Sequence, residues 1–74
     1  MDEGEPAWSE LLDVLPPKWR TRRPSFDPAA RLWEIVAVGP KHGGRHGPPP
    51  ESVTGRGPDE ATAVRDLAER LSRR

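Results

Sequence analysis

Residues 31–38, RLWEIVAV, are the stretch of sequence that decides the fold. They are rich in β-branched and aromatic residues and are followed by a Gly-Pro pair, a pattern typical of a β-strand that stops there. Side chains alternate between the two faces of a strand, so Trp33, Ile35 and Ala37 share one face. Because that face carries no charge, we expect it to meet the hydrophobic core.

The opposite face of the same strand holds Leu32, Glu34, Val36 and Val38. It is more apolar than a solvent-facing sheet surface needs to be. We therefore expect it either to be covered by the N-terminal segment or to bind a partner. Leu32, Val36 and Val38 are the candidate protein interface, and Glu34 is expected to face solvent.

Two further strands are predicted around this one. Residues 19–26 are basic and predict an edge strand, in which Pro24 belongs at an edge or a bulge because proline has no N–H to donate. The Asp-Pro-Ala-Ala sequence at 27–30 predicts a turn that joins this edge strand to residues 31–38 in a hairpin. Residues 51–57 predict a third strand, and the Gly- and Pro-rich residues 41–50 predict a flexible loop.

Both ends of the chain predict helices. Residues 7–15 have a short apolar face that ends at Pro16, and Trp8 and Leu12 are expected to dock it on the rest of the protein. Residues 59–72 form a longer helix, with acidic residues in its first turn and with Asp66–Arg70 and Arg65–Glu69 as i,i+4 pairs. The apolar stripe of this helix is Ala61, Val64, Leu67, Ala68 and Leu71.

Length and composition limit the possibilities further. With 74 residues, of which 32% are hydrophobic, residues 1–74 can form only one small domain, and we expect residues 1–5 to be frayed. The expected fold is α+β: a three-stranded antiparallel sheet packed by the C-terminal helix, with a short N-terminal helix (αβββα). The absence of cysteine excludes disulfides and thiol chemistry. No apolar run is as long as a membrane-spanning helix, which needs about 20 residues, so we expect a cytoplasmic protein without membrane contact.

The sequence favours no catalytic, cofactor or metal site. His42 and His46 lie four residues apart, but Gly43 and Gly44 between them disfavour a helix, and no cysteine or acidic residue nearby completes a ligand set. Serine and threonine residues are scattered, and neither glycine-containing basic segment matches a phosphate-binding motif. We therefore expect a noncatalytic protein.

Basic residues cluster although the net charge is zero and the isoelectric point is about 6.7. The cations of this basic cluster could pair with phosphates, and the indole of Trp19 could stack on a base. The cluster is therefore the candidate nucleic-acid contact. A second interpretation is that the charges protect an edge strand from aggregation while the tryptophan turns into the core. The candidate contacts are Lys18, Trp19, Arg20, Arg22, Arg23, Lys41 and Arg45.

Residues 53–57, VTGRG, run almost directly into DEATA at 59–63. With the αβββα order, this resembles the double-stranded RNA-binding domain fold over residues 7–71. That family grips phosphates with a lysine cluster at the start of its last helix, where this chain has Asp59, Glu60 and Thr62, so the family's RNA contacts do not carry over. The same segment is similar to small antitoxin domains that pair with RNA-cleaving toxins.

Three functions therefore stay open. The leading expectation is a small binding or adaptor domain that acts through a protein partner or by self-association. The interface would be the face of Leu32, Val36 and Val38, or the edge strand near residues 20–23, which could accept a partner strand. RNA binding through the basic edge strand and loop is the alternative, and an antitoxin-like inhibitor is a further one.

Overall fold

A computed structural model describes residues 4–40 and 50–73 of the chain. Of the residues expected to be frayed (1–5) and to form a flexible loop (41–50), residues 1–3 and 41–49 lie outside this part, and residues 4–5 belong to the first helix. Its elements confirm the α+β class, with two helices and one antiparallel sheet. They are α1 (Gly4–Val14), β1 (Arg20–Thr21), β2 (Ser25–Asp27), β3 (Leu32–Val38), β4 (Ser52–Gly57) and α2 (Glu60–Ser72).

The sheet is built around β3. On one side, β4 pairs along almost the whole length of β3, from Trp33 opposite Gly57 to Val38 opposite Ser52. On the other side, β1 pairs with the end of β3 and β2 pairs with its beginning. β1 and β2 therefore follow one another along the same side of β3, as two parts of the expected first strand, which is interrupted between them, and the four strands form three rows.

The interruption is a β-bulge. Thr21 lies opposite Ala37, but Ser25 lies opposite Glu34, so the chain between them has one residue more than the facing part of β3. The Arg22 N–H still donates to the Val36 carbonyl at 2.8 Å, which keeps the outer strand attached. Pro24 lies in the bulge, where no N–H is needed, in agreement with its expected place on an edge strand.

The hydrophobic core lies between the sheet and the helices. Ile35 and Ala37 are 0% exposed, which confirms that the face of Trp33 meets the core. The three tryptophans pack against the margin of this core. The fully or largely buried side chains are Ala7, Leu11, Ile35, Ala37, Ala63, Val64, Leu67, Ala68 and Leu71.

Helix α2 follows the prediction closely. Asp59 is its N-cap and accepts from the Thr62 N–H at 2.7 Å, which satisfies a free donor of the first turn. The expected Asp66–Arg70 pair forms, at 3.1 Å. Within the described residues Glu69 pairs with Arg73 instead of Arg65.

Helix α1 packs against α2, and it makes no close backbone approach to a described strand. Its buried residues are Ala7 and Leu11, whereas Leu12 is 65% exposed, so the expected docking role of Leu12 is wrong. Ala7 and Leu11 are four residues apart and share a face, while Leu12 is turned by about 100° from Leu11. Because α1 lies beside α2, it does not cover the other side of the sheet.

Candidate binding surface

The face of the sheet turned away from both helices, here called the open face, is centred on β3. Leu32, Val36 and Val38 lie on it and are only partly buried. They share this face because they alternate with Ile35 and Ala37, whose side chains fill the core. The structure therefore places the three residues of the candidate protein interface on one surface that no described helix covers.

One border of the open face is formed by β4. Ser52 lies opposite Val38 and Thr54 lies opposite Val36, so this border is polar. Glu34 and Arg56 form a cross-strand ion pair in which the guanidinium Nε lies 2.9 Å from the carboxylate. Glu34, expected to face solvent, lies between Leu32 and Val36 on this face and holds the Arg56 cation beside the aliphatic strip.

The other border is formed by the outer strand, which carries free cations. Arg20 lies opposite Val38, and Arg22 lies opposite Val36. Both side chains are exposed, and neither is within ion-pair distance of a carboxylate in the described part of the chain. The Val36–Val38 end of the strip therefore has guanidinium groups beside it, whereas Asp27 lies opposite Leu32 at the other end.

The remaining candidate nucleic-acid contacts do not all join this surface. Arg23 lies in the bulge, and Lys41 and Arg45 lie outside the described residues. Trp19 is partly buried and packs against the core. A Cβ on Gly39 would lie 3.0 Å from two of its ring carbons, so the indole rests on this glycine.

A pocket of about 380 Å³ opens at one end of the open face. Arg20 and Val38 belong to both, which makes the two surfaces continuous. Lys18 lies in the turn before β1 and lines the pocket together with Arg20. The residues that line the pocket are Lys18, Arg20, Val38, Gly39, Pro40 and Pro50.

The free edge of β4 has a contact that sequence reasoning missed. In the register of this strand the Arg56 N–H points away from β3, and it donates to the Asp66 carboxylate at 2.9 Å. Partial burial raises the pKa of Asp66, but the bonds from Arg56 and Arg70 outweigh it and lower the pKa overall. The sequence showed only the i,i+4 partner of Asp66, because nothing local places residue 56 beside it.

The described ranges contain no group of three or more His, Cys, Asp or Glu side chains arranged to hold a metal ion. None of the helices in these ranges is long and apolar enough to cross a membrane. Comparison of the chain with protein-family models, with curated protein sequences and with solved structures finds no match.

Proposed function

We propose that the protein is a noncatalytic binding domain whose open face receives a protein partner or a second copy of the chain. The observation that carries this proposal is that both helices lie on the same side of the sheet. Leu32, Val36 and Val38 consequently form an aliphatic strip with no described layer above it. Burying such a strip is the main source of free energy in protein association.

The borders of the strip indicate the chemistry of the partner. Among the described residues, Arg20 and Arg22 on one side have no carboxylate within ion-pair distance, and Arg56 on the other side pairs with Glu34. A partner that presents apolar side chains flanked by carboxylates would match both features. Complementary charges at the rim mainly increase the association rate and orient the partner, while the apolar centre supplies the affinity.

Docking on the open face fits the structure better than addition of a strand at an edge. The outer strand is broken by the bulge at residues 22–24, which disrupts the row of groups that a partner strand would need. At the other edge, the outward N–H of Arg56 is already bonded to Asp66. These contacts favour the sheet face over the edge near residues 20–23.

The substitution Val36→Asp tests the proposal, with Leu12→Asp as its matched control. Val36 lies in the middle of the strip, and Leu12 is an exposed aliphatic residue on α1, so both changes put a carboxylate in place of a surface-accessible aliphatic group. Sedimentation and pull-down of the full chain would be compared among wild type and the two variants. We expect Val36→Asp to lose a self-association or a specific captured protein that Leu12→Asp retains.

Far-UV circular dichroism would first show that Val36→Asp is folded. The captured protein would then be purified and its binding measured with Arg20→Glu, an exposed position where a folding defect is not expected. Weaker binding of that variant supports an acidic partner. If Val36→Asp and Arg20→Glu both bind as wild type does, the open face is not the interface.

Nucleic-acid binding is the second candidate, favoured by the exposed side chains of Lys18, Arg20, Arg22 and Arg23. The resemblance to the double-stranded RNA-binding domain fold belongs to this candidate. Two features oppose it: Trp19 packs on Gly39 instead of standing free to stack on a base, and Asp59 and Glu60 begin α2. Retention of labelled RNA that falls steeply with salt would support it, and no retention even at low salt would exclude it.

An inhibitor of an RNA-cleaving toxin is a special form of the protein-binding proposal. It would use the same open face. The active site of an RNA-cleaving enzyme is basic because it binds phosphates, so the surface that meets Arg20 and Arg22 would have to be an acidic one elsewhere on that enzyme. The test is whether the protein that wild type captures and Val36→Asp does not is an RNA-cleaving enzyme, and whether the wild-type chain inhibits it. A captured partner without that activity excludes this form alone.

A further inference from the structure

We infer that the pocket at the end of the open face binds a small organic anion, with an apolar body of a few carbon atoms and one carboxylate or phosphate group. The anionic group would lie between the Lys18 ammonium and the Arg20 guanidinium. The apolar body would contact Val38, Pro40 and Pro50. This site is separate in function from the protein-binding face, although the two adjoin at Arg20 and Val38.

The charge of the pocket is one-sided. Of the lining residues that the structure describes, two are cations and none is acidic. Lys18 and Arg20 have no ion-pair partner among residues 4–40 and 50–73. An ammonium and a guanidinium on the same wall are the groups that proteins use to hold carboxylates and phosphates, the guanidinium by two parallel hydrogen bonds.

The rest of the wall favours an organic anion over an inorganic one. Val38 is aliphatic, and Pro40 and Pro50 have no N–H to offer to a ligand. A volume of about 380 Å³ lies within the range of small-molecule sites, and a mainly apolar wall with few convergent polar groups is their usual composition. A bare inorganic ion would leave this apolar wall unused.

The backbone at Lys18 is the second observation. The Trp19 N–H donates to the Pro16 carbonyl at 3.2 Å and closes a turn in which Pro17 is second and Lys18 third, with φ at 70°. The third position of such a turn favours glycine, because a side chain there is strained. The chain nevertheless has a lysine, and the packing of Trp19 on Gly39 fixes the turn beside the pocket.

Positive φ alone does not identify a site, as Arg31 demonstrates. Its φ is 55°, but it lies in the hairpin before β3, at the end opposite Val38. Six residues of extended strand separate Leu32 from Val38, which corresponds to about 20 Å. Arg31 therefore provides a matched control, with the same type of strain and the same charge but no pocket.

The test is a titration of the ¹⁵N-labelled full chain, followed by NMR, with four probes. Benzoate and phenyl phosphate combine an anionic group with an apolar body, inorganic phosphate lacks the body, and benzylamine has the opposite charge. We expect benzoate or phenyl phosphate to shift the amides of Arg20, Val38 and Gly39 and the Trp19 indole N–H in a saturable way. The tighter binder of these two probes shows whether the site prefers a carboxylate or a phosphate group.

Three variants complete the test. Lys18→Gly removes the ammonium and also relieves the strain of the positive φ, so the variant should stay folded and a loss of binding could not be attributed to unfolding. We expect roughly tenfold weaker binding, as for loss of one charged contact. Arg31→Gly should bind as wild type does. Val36→Asp should also bind the anion, which separates this inference from the proposed protein interface.

Three results would overturn the inference. The first is the absence of saturable shifts with both benzoate and phenyl phosphate. The second is binding of benzylamine as tight as that of benzoate, which would indicate an apolar cleft without charge selectivity. The third is unchanged anion affinity in Lys18→Gly.

Discussion

A Cβ atom on Gly55 would lie 2.5 Å from the backbone nitrogen of Leu67. It would also overlap the Ala63 carbonyl oxygen, so the backbone of α2 rests directly on β4. Gly57, two residues further along the same face, is similarly close to the Ala63 backbone nitrogen, at 2.7 Å. The helix can approach the sheet this closely only because these two positions have no side chain.

Gly55→Ala should therefore destabilise the protein strongly. The added methyl group meets backbone atoms that cannot move without displacing α2, and we expect the free energy of unfolding to fall by about 3 kcal/mol or more. Urea denaturation followed by circular dichroism measures this loss. Thr54→Ala, at the neighbouring position on the open face, should change stability by less than about 1 kcal/mol. Equal stability of Gly55→Ala and wild type would contradict the close packing.

Asp66→Ala should be more harmful than an ordinary loss of a surface charge. It removes the acceptor of the Arg56 N–H as well as the partner of Arg70, and we expect a loss of about 1–2 kcal/mol. Glu69→Ala is the control, since its contact with Arg73 is an exposed i,i+4 pair worth less than about 0.5 kcal/mol. If the two variants were equally stable in the same denaturation experiment, the strand contact of Asp66 would be without consequence.

Much of the fold could be predicted because it is encoded locally. The alternation in residues 31–38 placed Ile35 and Ala37 in the core. The spacing in α2 identified four of its five buried residues, but it missed Ala63 and included Ala61, which is only partly buried. Pro24 indicated an edge or a bulge, but the division of the outer strand into β1 and β2 could not be predicted, because it depends on how two strands align and not on either strand alone. Leu12 was misplaced for a related reason: a short helix with several leucines offers more than one apolar face until its neighbour is known.

The candidate surfaces divide in the same way. Alternation was enough to collect Leu32, Val36 and Val38 on one face. The pocket was not predictable, since Lys18, Val38 and Pro50 come together only through strand register. The role of Gly55 beneath α2 becomes visible only when the helix is placed on the strand.

Stability should decline at acidic pH through Asp59 and Asp66. Hydrogen bonds from the backbone and side chain of Thr62 lower the pKa of Asp59, and the bonds from Arg56 and Arg70 lower that of Asp66 despite partial burial. A folded-state pKa below the unfolded value means that the unfolded chain binds more protons. The stabilisation is complete above the unfolded pKa of about 3.9 and is lost as pH falls through that value towards the lower folded pKa.

Urea midpoints measured between about pH 6 and pH 2.5 would show this decline. The variant with both Asp59→Asn and Asp66→Asn should start from a lower midpoint and lose less of it on acidification. Glu69→Gln, which changes an exposed carboxylate of α2 outside both of these contacts, serves as the reference for a general change in charge. A double variant whose midpoint falls as steeply as that of wild type would refute the assignment.

Arg31→Gly should stabilise the hairpin between β2 and β3. Asp27 anchors its turn by accepting from the Ala29 N–H at 3.0 Å, and Arg31 then returns the chain to β3 with φ at 55°. Glycine adopts this conformation without strain but is also more flexible in the unfolded chain, so we expect a net gain of up to about 1 kcal/mol.

Arg31→Ala, which removes the guanidinium and keeps the strain, should remain near wild type. Arg31→Val should lose about 1 kcal/mol, because a β-branched residue tolerates positive φ least. Equal unfolding free energies for the glycine and valine variants would mean that the backbone at residue 31 is not held in this conformation.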